Sequence, residues 1–134
     1  MAVTVDDLLG CWTLDRVVLR RGGRARKLPG VGWKGLLLYT PDCHVAAVLT
    51  VGVGPVRKTV AYAGPFSLAH DQVLHHVTAA TLPMRPGRTE RRAARLHPEG
   101  AGSLMLTAPW GRWALELFWS RAKATTPAHP DAAT

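Results

Sequence analysis

The stretch that decides the fold is Ala61–Pro83, AYAGPFSLAHDQVLHHVTAATLP. Read at period two, Tyr62, Gly64, Phe66 and Leu68 share one face of a strand. His70-Asp71 marks a tight turn, and a second strand begins at Gln72. That strand carries adjacent histidines, His75 and His76, which alternation sends to opposite sides of the sheet. If one side closes into an interior, one imidazole lies inside it, and His75 is the favoured one. An imidazole among apolar side chains is either a satisfied structural group or a functional one.

The same grammar repeats outward in both directions. Turn signals fall at Gly22-Gly23 through Gly32, Pro41-Asp42, Gly54-Pro55, Pro83 through Gly87, Pro98 through Gly102, and Pro109 through Gly111. They separate about eight strands. These are Cys11–Arg20, Trp33–Thr40, His44–Val53, Val60–Leu68, Gln72–Leu82, Thr89–Leu96, Ser103–Ala108 and Trp113–Ser120. The pattern predicts an all-β domain, either a sandwich or an up-and-down antiparallel β-barrel. The one helix signal is a short N-terminal turn, with Thr4 as cap and Asp6 and Asp7 in the first turn. In the first strand Trp12, Leu14, Arg16 and Val18 share a face. In the last, Trp113, Leu115, Leu117, Trp119 and Arg121 do so, with Glu116 on the other side. Residues 122–134 lose all periodicity and predict a disordered tail after a single domain over 1–121.

Composition narrows the class. The chain has 134 residues, 47% of them hydrophobic, which suits one domain with a real core. No apolar run is long enough for a helix to span a bilayer. The start, MAVTVDDLLG, carries acids where a secretory signal has a basic segment, so a cytoplasmic protein is expected. Cys11 and Cys43 have no metal-type spacing, and neither a disulfide framework nor a metal is expected. The formal net charge is +8. Nucleic acid is not the expected partner, because the aromatic residues belong to strand interiors and form no platform interleaved with basic residues.

Five segments together resemble the bacterial lipocalin-like domain proteins. They are Gly10-Cys11-Trp12-Thr13-Leu14, Gly35 through Asp42, Ala61 through Phe66, Asp71 through Val77, and Leu117-Phe118-Trp119-Ser120-Arg121. The resemblance implies a closed antiparallel barrel of about eight strands around a cavity. It also implies that Trp12 packs at the closed end against Arg121, as a structural cation–π pair. Two positions depart from the family pattern. Cys43 stands where glycine usually follows Pro-Asp, and Phe66 stands where tyrosine is common.

For chemistry, the inward candidates are His75, Arg16 and Tyr62 as catalytic groups. Tyr39, Phe66, Trp33, Trp113 and Trp119 are the candidate ligand contacts. A buried guanidinium at Arg16 would need a partner, and a ligand carboxylate or carbonyl would supply one. No phosphate-cradling glycine loop and no nucleophile elbow occurs, so no cofactor is expected. In an up-and-down barrel alternate loops share an end. Arg21, Arg24, Arg57, Arg85, Arg88 and Arg112 would then form a basic rim at the mouth. Such a rim attracts a carboxylated small molecule, a coenzyme A thioester or an acidic acyl carrier protein.

Three functions are compatible with these features. The first is a cyclase or isomerase of bacterial natural-product biosynthesis, folding a hydrophobic substrate inside the barrel. The second is a non-catalytic carrier for an apolar metabolite. The third is a nucleic-acid or protein-interaction barrel acting through its rim. Monomer and homodimer both stay open.

Overall fold

The computed structural model describes residues 3–27, 33–53, 55–96 and 102–127. A single turn of helix, α1 (Val5–Leu8), precedes ten strands. These are β1 (Gly10–Arg21), β2 (Arg24–Lys27), β3 (Lys34–Tyr39), β4 (His44–Val53) and β5 (Val56–Ala69), then β6 (Gln72–His76), β7 (Ala79–Ala80), β8 (Thr89–Leu96), β9 (Ser103–Trp110) and β10 (Trp113–Arg121). Neighbours in the sheet follow the chain, and β10 pairs back onto β1. Eight strands thus close an antiparallel barrel, with β2 and β7 as additions to its upper edge. Closure leaves no free sheet edge around the wall.

The sequence-based strands are recovered to within two residues at each end, apart from three changes. Gly22 turns the chain at φ 58, so β2 folds back on β1 from Val18↔Lys27 to Arg21↔Arg24 where a loop was expected. β5 starts at Val56, not at Val60. The expected strand over Gln72–Leu82 breaks into β6 and β7, because Val77 and Thr78 leave the ladder. At the far end, residues 122–127 form neither helix nor strand, and 128–134 lie outside the described residues.

The core follows the alternation. Trp12, Leu37, Tyr39, Val45, Phe66, Val73, Leu104 and Trp119 are all buried and fill the lower half. The floor is built around Arg121. Its guanidinium carbon lies 4.3 Å from the Trp12 ring centre, and it donates to the Leu9 carbonyl at 2.6 Å and the Asp7 carbonyl at 3.0 Å. Trp12 donates its indole N–H to the Leu8 carbonyl at 2.9 Å. The carbonyls left open at the end of α1 are thereby used. Gly10, at φ 119, brings the backbone under the guanidinium, where a Cβ would come within 2.9 Å of Nη1.

Arg16 is corrected by a bulge. The β1–β10 register shifts between Leu14 and Arg16, so the inward set runs Trp12, Leu14, Val17 and Leu19. Asp15 is the extra residue and accepts from the Ser120 hydroxyl. Arg16 is exposed on the outer wall, its guanidinium carbon 4.0 Å from the centre of the Phe118 ring. It has no place in the interior.

Candidate functional site

Above the packed lower half lies a cavity of about 120 Å³, partly enclosed and predominantly apolar. Leu37, Leu49, Val60, Leu106 and Leu117 form much of its wall, and Met84 reaches it from the segment after β7. The polar groups collect on one side. His75 projects inward from β6 and is 1% exposed. Phe66 on β5 and Glu90 on β8 stand directly across from it in the ladder.

Both imidazole nitrogens are bonded to tyrosines. The Tyr39 hydroxyl is 2.8 Å from Nε2, and the Tyr62 hydroxyl is 2.7 Å from Nδ1. Desolvation, then the Arg92 guanidinium, then His76, lower the His75 pKa to about 3. The ring is therefore neutral, with one donor and one acceptor nitrogen.

Hydrogen-bond accounting assigns them. Tyr39 is buried, and among the described residues its hydroxyl meets no partner but His75. Its proton must go to Nε2, since otherwise it is stranded in the core. Nδ1 then carries the proton and donates to the Tyr62 oxygen. The Tyr62 proton is left over, at the wall of the cavity. Burial raises the pKa of both tyrosines, so both hydroxyls are protonated donors at neutral pH.

Arg92 completes the group and was missed in the sequence. It lines the cavity from β8, its side chain 13% exposed, with Glu90 Oε2 at 3.5 Å from Nη1. Its charge acts on both Tyr62 and His75. Trp119 also lines the cavity, and its indole N–H has no partner among the described residues.

The other candidates divide between the cavity, the core and the mouth. Trp33 lines the cavity. Tyr39 and Phe66 pack edge to face beneath it, ring centres 4.9 Å apart, and Phe66 is core rather than a ligand contact. Trp113 is at the mouth, with the Arg21 guanidinium carbon 5.7 Å from its ring centre. Arg21, Arg24, Arg57, Arg85, Arg88 and Arg112 are all exposed. Among the described residues no three His, Cys, Asp or Glu side chains converge as a metal set. Among the described residues no helix is long and apolar enough to cross a membrane.

No protein-family model matches the chain, and no curated protein matches it. The site's own chemistry is one uncommitted hydroxyl proton and a guanidinium at one wall of an apolar chamber.

Proposed function

We infer that the chain is a small-molecule-binding barrel for a compact apolar ligand that carries an acceptor oxygen, either a carbonyl or a carboxylate. One observation carries this reading: the polar side of the cavity presents the uncommitted Tyr62 proton next to a guanidinium. The Tyr62 proton has no acceptor there among the described residues, and the Arg92 guanidinium beside it, held through Nη1 by Glu90 and the Arg91 carbonyl, adds positive charge to the same wall. A buried donor left unmet costs about 1–3 kcal/mol, so a ligand oxygen there relieves a real penalty. Size supports the same reading, because a cavity of about 150 Å³ accepts benzene and this one is about 120 Å³. A single ring or a short branched chain fits. Membership in the bacterial lipocalin-like family belongs to the same proposal, supported by the closed barrel and the Trp12–Arg121 floor.

A cyclase or isomerase is the second reading. The Tyr62–Arg92 pair favours it, since two donors at one point stabilise a developing oxyanion. His75 does not act as its base, because both ring nitrogens are engaged and its proton affinity is low. It is a positioning residue that orients Tyr62.

Calorimetric titration with cyclohexanone, benzoate and methylcyclohexane tests the binding reading. The two oxygen-bearing probes should bind at least about tenfold tighter than the hydrocarbon, one net hydrogen bond being worth roughly that factor. Tyr62→Phe should remove most of the difference and leave hydrocarbon affinity unchanged. Equal affinity for all three probes overturns the reading.

A further inference from the structure

The mouth of the barrel carries a second surface that the cavity does not explain. The register puts the β1–β2, β4–β5 and β9–β10 turns and the segment after β7 at one end. Three large apolar side chains stand on three of these connections. Val56 is 65% exposed, Leu82 74% and Trp110 55%. Each is more exposed than Leu36 or Val48, the pair at 40% on the outer wall. Arg21, Arg24, Arg26, Arg57, Lys58, Arg85, Arg88 and Arg112 lie on the same end, all exposed. The connecting sequences 22–33, 54–58, 81–88 and 110–112 contain no acidic residue.

We propose that this end docks on an anionic membrane surface, with Val56, Leu82 and Trp110 inserted among the headgroups and the arginines against lipid phosphates and carboxylates. Charge complementarity selects the partner: a rim of cations without acids requires a dense anionic surface. The apolar residues select a bilayer over an acidic protein. They stand on separate connections around the mouth, an arrangement that enters lipid side by side but builds no contiguous interface core. Tryptophan among basic residues is the composition of a membrane–water boundary. The cavity lining reaches toward the same end through Trp33, Met84 and Leu115, so a ligand dissolved in the bilayer would enter without crossing water. The docking does not depend on the ligand reading, and its test uses no cavity ligand.

The experiment is co-sedimentation of the full chain with phosphatidylcholine vesicles, with and without about 30% phosphatidylserine. Anionic vesicles should bind it at least tenfold better than neutral ones, and raising salt from about 0.05 to 0.5 M should weaken binding severalfold. The triple variant Val56→Ser, Leu82→Ser, Trp110→Ser keeps every rim charge and should lose at least about tenfold on the anionic vesicles, from the lost apolar burial. All three side chains are exposed, so its thermal midpoint should match the parent. Trp110→Phe gives a second readout: binding persists, while the blue shift in tryptophan emission on anionic vesicles shrinks. Three results overturn the proposal. They are no sedimentation with anionic vesicles at low salt, full binding by the triple variant, or tight binding to an acidic carrier protein without vesicle binding.

Discussion

At the scale of single residues, the sequence exposed some anomalies and hid others. Cys43 was legible. It occupies the turn between β3 and β4 at φ 62, a left-handed conformation that a side chain strains. Its N–H bonds the Thr40 carbonyl at 3.0 Å, so the turn keeps its form and the residue bears the strain. Cys43→Gly should therefore raise unfolding free energy by roughly 0.5–1 kcal/mol, after the added flexibility of glycine in the unfolded chain is subtracted. Urea denaturation measures this, and a loss of stability would contradict the strained-turn account. Arg92 was not legible. Its strand reads TERRAARL, and polar residues on both faces mask the alternation. The one signal was at the end of the strand, where Ala94 and Leu96 continue the Glu90–Arg92 face with apolar side chains. His75 was legible as an inward candidate, but its role was not. Only the placement of Tyr39 and Tyr62 shows that both of its ring nitrogens are engaged.

At the scale of elements, one residue too many decides the chemistry of a strand. Period two put Arg16 inside with Trp12 and Leu14, but the bulge at Asp15 reversed every residue after it. No local signal in GCWTLDRVVLRR marks that shift, because Val17, Val18 and Leu19 are apolar on either reading. The break between β6 and β7 has the opposite character. Its cause is visible in Gly64, where a Cβ would lie 1.9 Å from the His76 carbonyl oxygen and 3.0 Å from the Thr78 nitrogen. The partner strand leaves the ladder by passing over this glycine, and Thr78 N–H returns to the Ala63 carbonyl at 2.9 Å. Both obstructions are backbone atoms, so no side-chain rotation relieves them. Gly64→Ala should destabilise the barrel by about 2–4 kcal/mol, in the range for forced backbone shifts in a packed core. It should also perturb the NMR signals of the adjacent Tyr62–His75 pair. A change below about 0.5 kcal/mol, the range of neutral surface substitutions, would show that β6 and β7 move aside freely.

At the scale of the whole molecule, closure makes local chemistry global. The alternation left a sandwich and a barrel open, and neither strand count nor turn spacing distinguishes them. The Trp12 and Arg121 pairing of first strand with last is what closes the ring. A closed barrel of 134 residues should unfold as one cooperative unit. The proton affinity of one buried side chain therefore appears in its total stability. His75 holds a pKa of about 3 in the fold against 6.5 in the unfolded chain. Below pH 6.5 the unfolded chain binds a proton that the folded one refuses, so stability is full above that pH and falls as pH drops toward 3. The slope approaches about 1.4 kcal/mol per pH unit for one proton. Asp7 and Asp42 have pKa values lowered below 3.8 by their Thr4 and Thr40 hydrogen bonds, and their stabilisation is lost at the acid end of the scale. The interval between pH 6 and pH 4.5 thus belongs to the histidine. Urea unfolding at half-unit steps across it should give the declining slope for the parent and a nearly flat line for His75→Gln, whose amide does not titrate. Parallel slopes for the two proteins would place the proton on another group and remove His75 as the acid-sensitive point of the fold.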